Sequence, residues 1–302
     1  MVNAVLGAEN IRGMIWMIAS GALFALNFSI IRHLGDDLHA FEIVFFRNLF
    51  GFLVMIPMLW RLERRQLIPK RPMMILSRGI LQAVALFAWY TALIAIPIAT
   101  ATAIGMVEPI LTSLVAVILL RERAGLQRWL AGLAGLAGTL ILIRPGFQTF
   151  QFELLLPLVS ATCWAFYLMA GKVGTRVDSP TIVVAYPVII VVPLALIPTI
   201  MVWETPTLAH WGWFIVSGAL TSAATYCITK AYQVGDATAV SPLAFMRLVF
   251  AALFAFAFFN QIPEIWTWIG GGIVVLAATY LARYEARIVM ASGEAKKAEG
   301  HE

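Results

Sequence analysis

Long apolar runs separated by short polar connections make up most of the chain. Ten runs can be read, and most of them hold about 20 residues. A helix of that length crosses a bilayer hydrocarbon core of about 30 Å. The pattern therefore predicts an all-α polytopic membrane protein with ten transmembrane helices, at 13–34, 40–60, 74–96, 99–120, 126–143, 153–175, 180–202, 209–234, 237–259 and 265–283.

Basic residues are shared unequally between the two sides of the predicted bundle. With the N-terminus inside, the internal connections hold most of the lysine and arginine, whereas the external ones hold only Arg32 and Arg144. Because cytoplasmic connections carry the excess of basic residues, the sequence predicts that both termini are cytoplasmic. Residues 284–302 form a charged tail that we expect to be partly disordered.

Composition and motif content mainly exclude classes of protein. The chain is 61% hydrophobic and only 12% charged, about half the charged share of a soluble domain. Its net charge of +5 is dispersed between apolar runs, which does not indicate a nucleic-acid partner. Metalloprotease, serine-hydrolase and Asp-rich motifs are absent, and the four histidines lie in connections or the tail. We therefore predict no enzyme activity, no metal site and no cofactor.

The fourth run, 99–120, carries an acidic residue near its middle. A carboxylate at the bilayer centre costs several kcal/mol unless it is paired or faces a wet cavity. Read as one continuous helix, the run places Gly105, Glu108 and Thr112 on one small and polar face. Pro109 removes one helical hydrogen bond and loosens the turn near Gly105. Two interpretations stay open: Glu108 fixes packing between helices, or it belongs to a functional site.

A weak internal repeat relates the two halves of the chain. A shift of about 140 residues brings Ser160 onto Ser20 and Arg247 onto Glu108. Since each half holds five predicted helices, an odd number, the second half enters the membrane from the opposite side. The sequence thus predicts two inverted five-helix repeats, at 13–143 and 153–283, followed by the tail.

Repeat-related positions meet near the pseudo-twofold axis at mid-membrane, where Glu108 and Arg247 are expected to approach each other. They can form a permanent ion pair, or they can bind the ammonium and carboxylate ends of a zwitterion. Other residues at that depth are candidates to line a substrate cavity, with plain packing as the alternative for each. They are Phe24, Asn27, Trp89, Tyr90, Trp164, Tyr167 and Tyr226.

The helices are expected to divide into a cavity set and a packing set. The first, third, fourth, sixth, eighth and ninth helices carry the candidate residues and would enclose the cavity. The fifth and tenth carry small-residue seams, such as Ala134 with Gly138 and the run 270–272, which allow close helix approach. Arg47 in the second run, near Glu42, has three interpretations: it reaches the interface, pairs with Glu42, or contacts a substrate.

Four stretches together resemble the EamA type of the drug/metabolite transporter superfamily. They are SGALFALNFSIIRHLG, FEIVFFRNLFGFLV, IATATAIGMVEPILTSLVAVILLRERAGLQRWLAGLAG and GDATAVSPLAFMRLVFAALFAFAFFNQIPE. The resemblance covers about residues 13–283 and implies ten helices in two inverted EamA repeats. FxxxFFR with the later DATA is also similar to bacterial S-adenosylmethionine uptake carriers. The sequence departs from the family pattern at Leu248, where proline is frequent, and at Gln261, where glutamate is frequent.

The resemblance implies a secondary active transporter that works by alternating access in a bacterial inner membrane. With the central acid and base, we expect its substrate to be a small polar or zwitterionic metabolite, amino-acid-like or S-adenosylmethionine-like. Protons or a counter-substrate would drive it, as a monomer or a homodimer in the bilayer. The alternatives are an exporter of amino acids or amphiphilic drugs and, more remotely, a membrane-embedded enzyme or a non-transporting subunit.

Overall fold

A computed structural model describes residues 2–60, 69–120, 126–143, 151–174, 177–178, 180–234 and 241–299. These residues form α-helices with short 3₁₀ turns at Phe152–Leu155 and Ser241–Phe245 and contain no strand. The α-helices are α1 Val2–Leu34, α2 Ala40–Trp60, α3 Pro72–Ala95, α4 Ile98–Gly105, α5 Glu108–Leu120, α6 Leu126–Ile143, α7 Leu156–Gly174, α8 Pro180–Met201, α9 Leu208–Val234, α10 Met246–Phe259 and α11 Ile265–Glu299.

The predicted all-α membrane fold is confirmed, because the described residues of each of the ten apolar runs are mainly helical. Within that described part, three stretches are long and apolar enough to cross a membrane by themselves: Ile11–Leu34, Pro72–Ala95 and Phe152–Gly171. Shorter apolar helices make up other runs. Leucines on the outer face of α6, such as Leu133 and Leu140, are exposed, as expected of a surface that contacts lipid.

The fourth run is broken into two helices, so the prediction of one continuous rod is wrong. α4 ends at Gly105, a turn follows at 106–107, and α5 begins at Glu108. Pro109 explains the position of the break. Its missing N–H costs nothing in the first turn of a new helix, but it would leave a gap in a helix interior. Gly105 and Glu108 therefore lie on either side of a break.

Helix packing follows the twofold relation between the halves. Three pairs of repeat-related helices pack on each other: α2 on α8, α4 on α10, and α6 on α11. Two further pairs, α1 with α9 and α3 with α7, are exchanged by the same relation, because α1 corresponds to α7 and α3 to α9. This arrangement places the broken fourth span and its counterpart α10 side by side at the centre of the bundle.

The small-residue seam joins α6 to α11 within one chain. A Cβ added at Gly138 would lie 2.9 Å from the carbonyl oxygen of Gly270 and 2.9 Å from a methyl carbon of Val274. Backbone oxygen cannot move away without shifting the helix. Close contact between these backbones keeps the fifth and tenth spans together on one side of the bundle, and no described residue of either span lines the cavity described below.

Gly138→Ala is expected to lower the thermal unfolding midpoint of the purified protein, whereas Gly272→Ala is not. Both changes gain about 1 kcal/mol of helix propensity. Only the first forces an atom into a filled space, which typically costs about 1–3 kcal/mol; the Cβ at Gly272 meets nothing within 4 Å. Fluorescence-monitored melting in detergent measures the difference. Equal midpoints for the two variants would contradict the close contact.

The last helix continues through the residues predicted to be a partly disordered tail, so that prediction is wrong for the described backbone. α11 runs without interruption from Ile265 to Glu299. The sequence near its end, GEAKKAE, is rich in alanine, glutamate and lysine, which have high helix propensity. The charged end therefore extends the tenth span as a helix.

Candidate functional site

A cavity of about 330 Å³ lies between the two halves. This volume is in the range of small-molecule sites, about 300–1,000 Å³. Its lining comes from the first, second, third, fourth, sixth, eighth and ninth spans. The lining residues are Phe24, Asn27, Phe28, Arg47, Ala85, Leu86, Trp89, Tyr90, Gly105, Glu108, Pro157, Ser160, Ala161, Trp164, Ile228 and Arg247.

Two side chains of opposite charge line this cavity, each in the first turn of a helix, and the two helices are related by the repeat. Glu108 is the first residue of α5, after the break, and Arg247 is the second residue of α10, after a 3₁₀ turn. They are near enough to interact electrostatically. No ion pair of 4.0 Å or less joins them among the interactions of the described residues. Each charge is therefore available to a molecule in the cavity.

The surroundings of Arg247 supply little compensation for its charge. Its Nη2 lies 4.0 Å from the sulfur of Met106, and its guanidinium carbon is 5.9 Å from the centre of the Phe24 ring. Its Nε is buried without a hydrogen-bond partner in the described structure. Gly21 allows α1 to approach α10 closely, since a Cβ there would lie 3.1 Å from the backbone nitrogen of Arg247. The backbone of Arg247 thus packs against α1, while its Nε has no hydrogen-bond partner in the described structure.

Aromatic rings form a second part of the cavity wall. Trp89 meets Phe28 edge to face, with ring centroids 5.3 Å apart. The Trp89 ring also lies against the backbone of Gly105, where a Cβ would come within 2.9 Å of it. Tyr90 is buried, and its ring packs beside the guanidinium of Arg47. These contacts hold the rings in place in the cavity wall.

Polar side chains fix the helices around the cavity. The Ser217 hydroxyl on α9 donates to Asn27 Oδ1 at 2.6 Å, which ties the first and eighth spans together. The Ser160 hydroxyl on α7 donates to the carbonyl oxygen of Ala85 on α3 at 2.8 Å. Both bonds are buried and connect the first half to the second, so they hold opposite walls of the cavity in register.

Seven of the nine predicted site residues line the cavity: Phe24, Asn27, Trp89, Tyr90, Glu108, Trp164 and Arg247. Tyr167 does not reach it. It is only 8% exposed, its ring stacks on Trp164 with centroids 4.8 Å apart, and the guanidinium of Arg78 lies 4.3 Å from its centre. Tyr167 supports Trp164 from behind and holds the buried cation of Arg78, so its prediction as a lining residue is corrected.

Tyr226 also lies outside the cavity, with its side chain on the outer surface and 55% exposed. Its ring meets Trp16 edge to face and lies 5.8 Å from the Lys230 ammonium. The reason is the rotation of α9. Its small residues Ala224 and Ala231 are fully buried, and a residue two positions from Ala224 therefore points away from that face.

Arg47 is the charged lining residue that the set of predicted site residues left out. The sequence allowed it to pair with Glu42, but Glu42 accepts hydrogen bonds from the backbone N–H groups of Glu204, at 2.7 Å, and His39, at 3.2 Å. Arg47 instead lines the cavity. The signal that could have identified it is the one used for Glu108: an ionisable residue inside an apolar run.

A helical membrane protein with ten spans, two inverted repeats and a central cavity has the architecture of a secondary transporter. The EamA-like transporter family matches residues 11–144 and 151–283, and the chain belongs to that family. It is a small-molecule transporter of the membrane and not an enzyme.

Curated relatives and a solved structure cover almost the whole chain. It is similar to an S-adenosylmethionine uptake transporter of Rickettsia prowazekii, with 27% identity over 93% of this chain and 96% of that one. It is also similar to a riboflavin transporter of Rhizobium johnstonii, with 31% identity over 94% of this chain and 95% of the relative. A crystal structure with 21% identity shares the fold at a TM-score of 0.59 and covers 94% of this chain and 99% of its own.

Proposed function

We propose that the protein is a secondary active transporter that moves a small polar or zwitterionic metabolite by alternating access through the central cavity. The observation that carries this proposal is the pair of unbridged opposite charges, Glu108 and Arg247, on matching helices of the two repeats. The carboxylate can hold an ammonium group, and the planar guanidinium can hold a carboxylate by two parallel hydrogen bonds. A zwitterion would satisfy both at once.

The aromatic residues that line the cavity restrict the class of possible substrates further. Phe28, Trp89 and Trp164 line the cavity, and aromatic rings can stack on a flat heterocycle. S-adenosylmethionine and riboflavin, named for two relatives, each combine a flat ring system with a polar part. A substrate with both features fits the charged and the aromatic sides of the cavity.

Transport by purified protein in liposomes tests the proposal. Labelled S-adenosylmethionine, riboflavin and amino acids are supplied in parallel, with and without an imposed proton gradient. Saturable uptake and counterflow with the unlabelled compound are expected for at least one of them. The gradient distinguishes proton coupling from exchange, and loading from either side distinguishes uptake from export. The proposal would be contradicted if every labelled compound entered the protein-containing liposomes no faster than it entered protein-free liposomes.

We further propose that the protein lies in a bacterial inner membrane with both termini cytoplasmic. The asymmetry of basic residues between the connections supports this orientation. Single cysteines at Gly146, which lies outside the described residues, and at Gly293 are expected to react with an impermeant thiol reagent from opposite sides. Cys163 and Cys227 are first replaced. Reaction of both sites from one side would exclude the orientation.

A further inference from the structure

The charges that line the cavity do not balance. Among the described residues, the charged ones that line the cavity are Glu108, Arg247 and Arg47, so their formal charges sum to +1 even with the carboxylate ionised. Arg47 has no ion pair of 4.0 Å or less among the described interactions. It contacts Tyr90: the guanidinium carbon lies 5.5 Å from the centre of the Tyr90 ring, and the two side chains also interact electrostatically.

The nearest acid along α2 forms no ion pair of 4.0 Å or less with Arg47 among the described interactions. Glu42 is fully buried, and its two carboxylate oxygens are both occupied by backbone donors. One oxygen accepts from Glu204 N–H at 2.7 Å and the other accepts from His39 N–H at 3.2 Å. This acid belongs to the contact between the start of α2 and the α8–α9 connection. Arg47 is left to face the cavity as a second and uncompensated cation.

An unbalanced cation in a low-dielectric cavity is stabilised by an anion that enters with the ligand. Guanidinium binds carboxylate and phosphate oxygens through parallel hydrogen bonds, and an aromatic ring beside it contributes a cation–π contact. We propose that Arg47, beside Tyr90, forms an anion subsite, and that the substrate carries a carboxylate or phosphate there in addition to any group bound by Glu108 and Arg247. This assignment rests on the proposed function, because it names the substrate class of the same cavity.

The proposal ranks compounds that differ by one charged group. Glutamate should bind more tightly than glutamine, and riboflavin 5′-phosphate more tightly than riboflavin. In a compatible pair, the member with the more negative net charge is expected to gain about 10- to 100-fold in affinity, the range of one hydrogen-bonded charge contact.

Equilibrium binding to the full-length purified protein, followed by tryptophan fluorescence, measures these preferences. Arg47→Gln should remove the preference within a pair while the weaker member keeps its affinity to within about threefold, and Arg47→Lys should retain part of it. Arg71→Gln is the matched control, because Arg71 is exposed before α3 and outside the cavity lining. It should leave the preference unchanged.

The wild-type protein alone can overturn the proposal. It falls if the less negative member of every pair binds as tightly as its partner, or if none of the anionic members binds. It also falls if Arg47→Gln keeps the wild-type preference. Saturable counterflow of a panel compound that carries the additional anionic group, unaffected by Arg47→Gln, would overturn the anion subsite and leave the proposed transporter function standing. This separates the failure of one proposal from the failure of the other.

Discussion

Glu108→Gln and Arg247→Gln are each expected to lower transport at least about 10-fold. Each removes a charge that contacts the substrate in the proposed site and keeps much of the side-chain size. A hydrogen bond to a charged group contributes about 1.5–3 kcal/mol, which corresponds to about 10- to 150-fold in affinity. Initial rates in liposomes measure the effect, corrected for the amount of protein inserted. Glu204→Gln, on an exposed residue outside the cavity, is the control and should transport normally.

The double variant distinguishes a substrate site from a structural pair. In a permanent ion pair, loss of one partner strands a buried charge, at a cost of about 3–5 kcal/mol. Replacing both Glu108 and Arg247 with glutamine would then restore stability and transport together. The absence of a close ion pair between them favours the other outcome. We expect the double variant to stay inactive, and full recovery of its transport would remove both residues from the binding site.

The features that could be predicted from sequence are those fixed by the bilayer and by the repeat. Apolar runs of about 20 residues have few alternatives to transmembrane helices, because lipid offers no hydrogen bonds to an open backbone. The repeat shift then related Glu108 to Arg247, and the structure puts both in one cavity. Neither step needs knowledge of how the helices rotate about their own axes.

Helix rotation and local breaks account for the features that the sequence did not reveal. Tyr226 and Trp164 both lie in apolar helices with aromatic neighbours, yet only Trp164 turns inward. The choice depends on which small residues pack at each crossing, and that depends on the partner helix. Glu42 illustrates the same limit. A distant connection provides its hydrogen-bond donor Glu204, 162 positions away, so Arg47 on the same helix remained available to the cavity.

The two repeats are related but not equivalent at the cavity. The first contributes its acid at a helix break followed by Pro109, whereas the second contributes its base after a 3₁₀ turn that leads directly into α10, with Leu248 in place of a proline. Gln261, another departure from the family pattern, accepts a hydrogen bond through Oε1 from the Ile98 N–H at the start of α4. Gln261 therefore contacts the other half near the first residue of the broken span.

Glu42→Ala is expected to lower the free energy of unfolding by about 3 kcal/mol, because it strands backbone donors of His39 and Glu204 that the buried carboxylate now satisfies. Glu42→Gln should lie between the wild type and Glu42→Ala, since one amide oxygen can replace only one of the two acceptors. Glu204→Ala removes an exposed side chain but keeps its backbone N–H, and is the control. Thermal midpoints in detergent rank the variants. A midpoint for Glu42→Ala equal to that of Glu204→Ala would show that this contact between the halves adds nothing to stability.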